Sequence, residues 1–222
     1  MKSFIIRLKD HEFSSEIADQ CVAQAKTFGL NVDYFDGVTG PEAQFIFDQD
    51  SIHKYPQKLK RGTPGVQGCA GSHYLLWRQC VTENVPYLIL EQDGYMIRPL
   101  PDVLDQFDHV LKLDSCDPFA DDYNQQVAQD HGSSVVPYNI NWGYKKKAAP
   151  YGGYFRGAWS YIIKPQAAKL LIQAFKTNGW VPADKQFGVD LLNLKTTAST
   201  IFRIHPTYTS DTIEQLSLTR NL

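Results

Sequence analysis

The chain has 222 residues, 43% of them hydrophobic, 13% aromatic and 21% charged, enough apolar material to fill the core of one α/β domain spanning residues 1–222. A formal charge of −2 offers no electrostatic case for nucleic acid or an anionic membrane surface, and the one basic run, Lys145, Lys146 and Lys147, is too short to alter that. No stretch approaches the ~20 apolar residues of a membrane span, and Arg7, Lys9 and Asp10 follow the first apolar run too closely for a signal peptide, so a cytoplasmic location is expected.

The predicted elements begin with a strand over residues 3–8. A helix follows, with Ser14 or Ser15 as its N-cap, Ile17, Cys21, Val22, Ala25 and Phe28 at helical spacing, and Gly29 at its end. A second strand over 31–35 ends at Asp36 and Gly37, which makes a βαβ opening and so a parallel sheet. Residues 41–67, punctuated by Pro41, Pro56, Gly62, Pro64 and Gly65, read as a loop with a short helix. Tyr74, Leu75, Trp77, Cys80 and Val81 predict a largely buried helix over 70–81, with Trp77 in the core.

Residues 87–90 form a short apolar strand running straight into Glu91, Gln92, Asp93 and Gly94. Another strand is predicted over 110–113, ending at Asp114. The polar segment 116–150, which holds Trp142, shows no clear pattern. Residues 161–163 lead through Pro165 into a helix over 166–176 that ends near Gly179. A helix over 184–194 and a late strand over 200–204 complete the pattern, and the tail after Asp211 is a docking or frayed segment. The four cysteines, Cys21, Cys69, Cys80 and Cys116, show no C-x-x-C pair and no zinc-finger spacing, so reduced thiols are expected.

The densest chemistry lies after the strand over 87–90. Strand side chains repeat with period two, so Glu91 and Asp93 are expected to point the same way. In open α/β sheets ligands sit outside the carboxyl ends of the strands. Two like charges there repel unless a cation lies between them. Oxygen ligands favour Mg²⁺ or Mn²⁺, and such an ion also neutralises a departing diphosphate. The same spacing equally suits an acidic turn with Gly94 supplying an unusual backbone angle.

The neighbouring residues narrow this. Gly68, Cys69, Ala70, Gly71, Ser72 and His73, then Trp77, then Pro86 to Leu90 leading into Glu91, Gln92 and Asp93, resemble the G-C-x-x-S-H and E-D-D pattern of glycosyltransferase family 25, which includes lipopolysaccharide and collagen glycosyltransferases. Ile5 to Leu8, Asp36–Gly37, the blocks at 158–163 and 167–171, Val181 to Asp184, and His205–Pro206 are similar to further family segments in the same order. Gln92 stands where the family has its middle acid, and Arg7 and Lys9 stand where it often has Asn and Asp.

The resemblance implies a GT-A-like fold, a mixed, mainly parallel sheet flanked by helices. It implies an inverting, metal-dependent transfer of a hexose, galactose or glucose, from a UDP-sugar to a glycan or glycosylated acceptor. The alternative is an inactive relative that binds a nucleotide or glycan. Asp93 is then the direct ligand of Mn²⁺ or Mg²⁺, Glu91 a second ligand or a ribose contact, and His205 the third ligand. Arg7, Lys9 and Asp36 flank the nucleotide. Residues 68–73 open a helix whose free amides face phosphate, with Gly68 allowing close approach, Ser72 capping the helix and His73 holding a neighbouring loop. The loop 145–156 is read as a flap, with Arg156 on phosphate. Inversion needs a base for the acceptor hydroxyl; Asp184 is the candidate and Asp190 the reserve.

Overall fold

The computed structural model describes residues 1–55, 64–114, 120–138 and 157–207. A seven-stranded sheet has the order β2 (Asp33–Asp36), β1 (Lys2–Arg7), β3 (Tyr87–Glu91), β7 (Ser160–Ile163), β5 (Val110–Lys112), β8 (Leu194–Thr197), β6 (Val135–Pro137). From the pairings, β1, β2, β3, β5 and β8 run one way and β7 and β6 the other. The expected mixed, mainly parallel sheet is therefore the one observed. A separate hairpin pairs β4 (Gly94–Met96) with β9 (Phe202–Ile204).

The pleat sorts the core into two layers. On one face Tyr87, Ile89, Tyr161, Ile163 and Val110 meet α2 (Gly40–Gln49), α3 (Pro64–Glu83), α5 (Pro165–Asn178) and α6 (Ala183–Gln186). On the other, Leu88, Leu90, Ile162 and Leu111 meet Ile17, Cys21 and Ala25 of α1 (Glu12–Thr27). A further helix, α4 (Ala120–His131), leads into β6. No helix among the described residues is long and apolar enough to cross a membrane.

Several boundaries differ from expectation. The N-cap of α1 is His11, whose Nδ1 accepts the Ser14 amide at 3.3 Å. Ser14 sits inside the first turn and instead accepts the Leu8 amide at 2.9 Å. The stretch read as a loop with a short helix holds all of α2 but its first residue, and the start of α3. The signal for α2 was present: the Thr39 amide donates to the Glu42 carboxylate at 2.7 Å, the reciprocal bond of a T-x-x-E cap, with Pro41 in the first turn. The helix expected over 184–194 stops at Gln186 because Phe187 leaves helical geometry and is fully buried between Trp77 and Tyr161. Packing overrides propensity there.

The helix α3 begins at Pro64, so the amides of residues 68–73 lie in its interior and their hydrogen-bonding capacity is used within it. They are not a phosphate-facing helix start. Gly68 and Gly71 serve a different approach: a Cβ on Gly68 would lie 2.5 Å from the Val38 carbonyl, and one on Gly71 2.5 Å from Cβ of Ala43. Small residues let α2 and the turn before it press onto α3. Ser72 does not cap the helix; its hydroxyl donates to the Gly68 carbonyl at 2.8 Å and accepts the Val38 amide at 2.9 Å.

Candidate active site

Parallel strands bring their carboxyl ends to one edge, so β1 delivers Arg7, β2 Asp36, β3 Glu91 and β5 Lys112 to the same side of the molecule. Strand β7 runs the other way and starts at that edge with Ser160. This is where an open α/β sheet binds ligands.

Glu91 follows Tyr87 and Ile89 onto the α3 face. Its Oε1 lies 3.2 Å from His73 Nε2 and 3.7 Å from Cys69 Sγ. His73 is fully buried, and its Nδ1 lies 2.7 Å from the Tyr161 hydroxyl, which also accepts Trp77 Nε1–H at 3.0 Å. His73 thus holds the strand-end carboxylate, not a neighbouring loop. Trp77 is in the core as expected, completely covered.

Asp93 does not share that cluster. The chain turns at Gln92 and Asp93, so the period-two argument stops at Glu91. Gln92 faces α1, where its Oε1 accepts the Ser14 hydroxyl. The carboxylate of Asp93 is near enough to α1 to raise the Cys21 thiol, which burial chiefly pushes up to about 12. Through its backbone Asp93 belongs to the β4–β9 hairpin: its carbonyl accepts the His205 amide at 2.8 Å, one step beyond the Gly94–Ile204 pair. Asp93 and His205 are therefore cross-strand neighbours, while Glu91 meets Cys69 and His73 on the α3 side.

His205 is buried, packs edge-on against Tyr95 with centroids 5.0 Å apart, and has its pKa lowered by burial. Its Nδ1 accepts the Thr207 amide at 3.2 Å. The link between His205 and Asp93 is thus a main-chain one, and the imidazole nitrogen facing Thr207 is already engaged.

Asp184 opens α6, close enough to Glu91 and Lys112 to feel both charges. Burial pushes its pKa up to about 6, with Glu91 raising it further and Lys185 and Lys112 opposing. The reserve candidate, Asp190, is exposed. Arg7 and Asp36 are partners of one another, Nε to Oδ1 at 3.1 Å, and the Arg7 guanidinium lies 4.0 Å above the Tyr34 ring. Lys9 is exposed at the same edge. Arg156, the segment 145–156, Trp142 and the tail lie outside the described residues.

Sequence reasoning passed over Lys112. It is 1% exposed; both carboxylate oxygens of Asp114, itself 2% exposed, lie 2.9 Å from its Nζ. Nζ also donates to the Gly157 carbonyl at 3.1 Å and lies 4.8 Å from the Trp159 ring centroid, while the Ser160 hydroxyl donates to Asp114 at 2.8 Å. A lysine between Leu111 and Leu113 is the signal that was available: alternation puts it on the α3 face with Tyr161, its partner across the strands.

Comparison with known proteins gives one family, described as glycosyltransferase family 25 (LPS biosynthesis protein), matched over residues 1–187. The lipooligosaccharide biosynthesis protein lex-1 of Haemophilus influenzae is 31% identical over 136 residues, 59% of this chain and 42% of that protein. The match thus spans less than half the length of that relative. Among solved structures, a glycosyltransferase involved in the glycosylation of the major capsid of PBCV-1 aligns with TM-score 0.39 and 10% identity, over 84% of this chain and 72% of that one. Mouse xyloside xylosyltransferase 1 aligns with TM-score 0.35 and 8% identity, over 84% and 79%.

Proposed function

This chain belongs to glycosyltransferase family 25, and from that premise we propose that it transfers a hexose, galactose or glucose, from a UDP-sugar to a glycan or glycosylated acceptor, with inversion and with the help of Mn²⁺ or Mg²⁺. A lipopolysaccharide-type acceptor and a cytoplasmic setting belong to the same proposal. The observation that carries it is the convergence of Arg7, Asp36, Glu91 and Lys112 at the strand ends where ligands bind, with Asp184 within reach of the Glu91 and Lys112 charges.

An inverting transfer needs one proton taken from the acceptor hydroxyl as its oxygen attacks the anomeric carbon, while the UDP oxygen departs from the opposite face. Asp184 takes that proton. A pKa near 6 leaves the group ionised at pH 7 yet more basic than an ordinary aspartate. Asp93 and His205 would hold the cation, which would supply positive charge to offset that of the departing diphosphate. Glu91, anchored by His73, fixes donor orientation from the α3 side. Arg7 and Asp36, locked together, form the wall at the β1 and β2 ends, where the nucleotide lies. Gln92, which the family pattern replaces with an acid, is turned toward Ser14 and takes no part.

The test is release of UDP from UDP-galactose and UDP-glucose with and without Mn²⁺, together with Mn²⁺-dependent thermal stabilisation by UDP. Turnover and stabilisation are expected with the metal and are lost in Asp93→Ala. Absence of both in the unaltered protein overturns the reading. UDP stabilisation that needs no metal, without turnover, favours the non-catalytic relative.

A further inference from the structure

Cys69 and His73 are four residues apart on α3 and so project from one side of the helix. Glu91 comes from the end of β3 to meet them, and the three donor atoms lie within 4.8 Å of one another. Bonds of about 2.0–2.3 Å at tetrahedral angles separate the ligand atoms of zinc by about 3.3–3.6 Å. The observed 3.2 Å from His73 Nε2 and 3.7 Å from Cys69 Sγ to the Glu91 oxygen are close to those edge lengths. We propose that Cys69, His73 and Glu91 form a binding site for a thiophilic divalent cation, Zn²⁺ above all, distinct from the Asp93–His205 pair.

The surroundings support this beyond the three ligands. A zinc-bound imidazole is normally held by a hydrogen bond from its other nitrogen, which fixes ring and tautomer. His73 has that partner in the Tyr161 hydroxyl, 2.7 Å from Nδ1, with the two rings stacked at 5.7 Å. Trp77 Nε1–H holds the tyrosine oxygen in turn, at 3.0 Å. The aromatic core thus holds the His73 imidazole, and His73 in turn holds the Glu91 carboxylate, within reach of Cys69. Ligand softness sets the choice of metal: thiolate with imidazole selects zinc over magnesium or manganese, which prefer oxygen. On binding, the Cys69 thiol gives its proton to solvent as the metal–sulfur bond forms, and water fills the fourth tetrahedral position. Cys21 and Cys80 offer no such setting; burial pushes each thiol up to about 12.

Glu91 is shared with the donor side of the active site. Zinc that engages it withdraws it from the donor, so zinc inhibits transfer. That consequence rests on the function proposed above; metal uptake does not, and the two fail separately.

The experiment titrates Co²⁺, then Zn²⁺, into the metal-stripped full chain. One equivalent of Co²⁺ is expected to raise a thiolate-to-cobalt charge-transfer band in the near ultraviolet, which one equivalent of Zn²⁺ bleaches. Cys69→Ser abolishes the band, and Tyr161→Phe weakens binding by about 10- to 100-fold. A measurement needing no variant runs beside it: Zn²⁺, but not Mn²⁺, slows alkylation of Cys69, read by peptide mass. No stoichiometric uptake, a band that survives Cys69→Ser, or unchanged Cys69 alkylation overturns the proposal.

Discussion

Burial pushes the Asp184 carboxyl up to about 6, Glu91 adds to the shift, and Lys185 opposes it. The native state therefore holds a proton on this group between its ordinary value of 3.8 and about 6, where the unfolded chain has released it. The sign follows: stability falls as pH rises across that window, and ionised Asp184 is a liability above it. Asp184→Asn is expected to raise the melting temperature at pH 7, by an effect on the order of 2 kcal/mol, and to have no such effect below about pH 4. The same substitution lowers kcat by about 10²- to 10⁴-fold, since the base is gone. In the unaltered enzyme kcat/KM declines as pH falls through about 6. Scanning calorimetry across pH, paired with a rate profile, checks both; an acid limb persisting in the residual activity of Asp184→Asn separates another base from this one. That Asp184 meets Glu91 was not legible in the chain, because 92 residues of sequence separate them and only the fold closes the distance. The resemblance pointed to Asp184; the raised pKa came from the packing.

Gly68 lets the turn leading into α2 meet α3 backbone to backbone, and Gly71 leaves room for the side chains of Ala43 and Val38. Gly68→Ala puts a methyl group 2.5 Å from a main-chain carbonyl, an obstruction no rotamer change relieves. A loss of about 1–3 kcal/mol is expected, measured as a lower urea midpoint at unchanged slope. Equal stability would show that α2 shifts freely. Elements of this kind set the limit of legibility. The strand β1, the helix α1 and the helix α5 were readable because periodicity persists over several repeats or Pro165 marks the start. Strands β4, β6 and β8 have three or four residues each, too few for alternation to emerge. They exist because a neighbouring strand offers its edge. The E-x-D stretch meets the same limit: strand geometry ends at Glu91, so the period-two spacing does not extend to Asp93. The Cys69–His73–Glu91 cluster escaped notice because its third ligand comes from another element, where spacing within the chain cannot show it.

Among the described residues, the sheet has an N-terminal half, β2–β1–β3, and a C-terminal half, β5–β8–β6, joined through the antiparallel β7. The buried Lys112–Asp114 pair lies at this seam, tied to β7 by Ser160 and to the chain before it by the Gly157 carbonyl. Removing one member of a buried pair leaves an uncompensated charge, and Lys112→Met is expected to cost about 3–5 kcal/mol. Replacing both, as Lys112→Met with Asp114→Leu, recovers much of that, because the desolvation cost disappears with the second charge. Denaturant unfolding of the three proteins checks the order. A double variant no better than the single one would mean that the pair's hydrogen bonds, rather than its charges, hold the seam. The pair also acts on the site across the sheet face. Lys112 favours the ionised form of Asp184, so its removal lets the carboxyl pKa rise further. The acid limb of kcat/KM then moves to higher pH in Lys112→Met, and moves likewise in the double variant even where stability has returned. A limb that stays in place in both would confine Lys112 to structure; a shared displacement joins the seam of the fold to the chemistry at its edge.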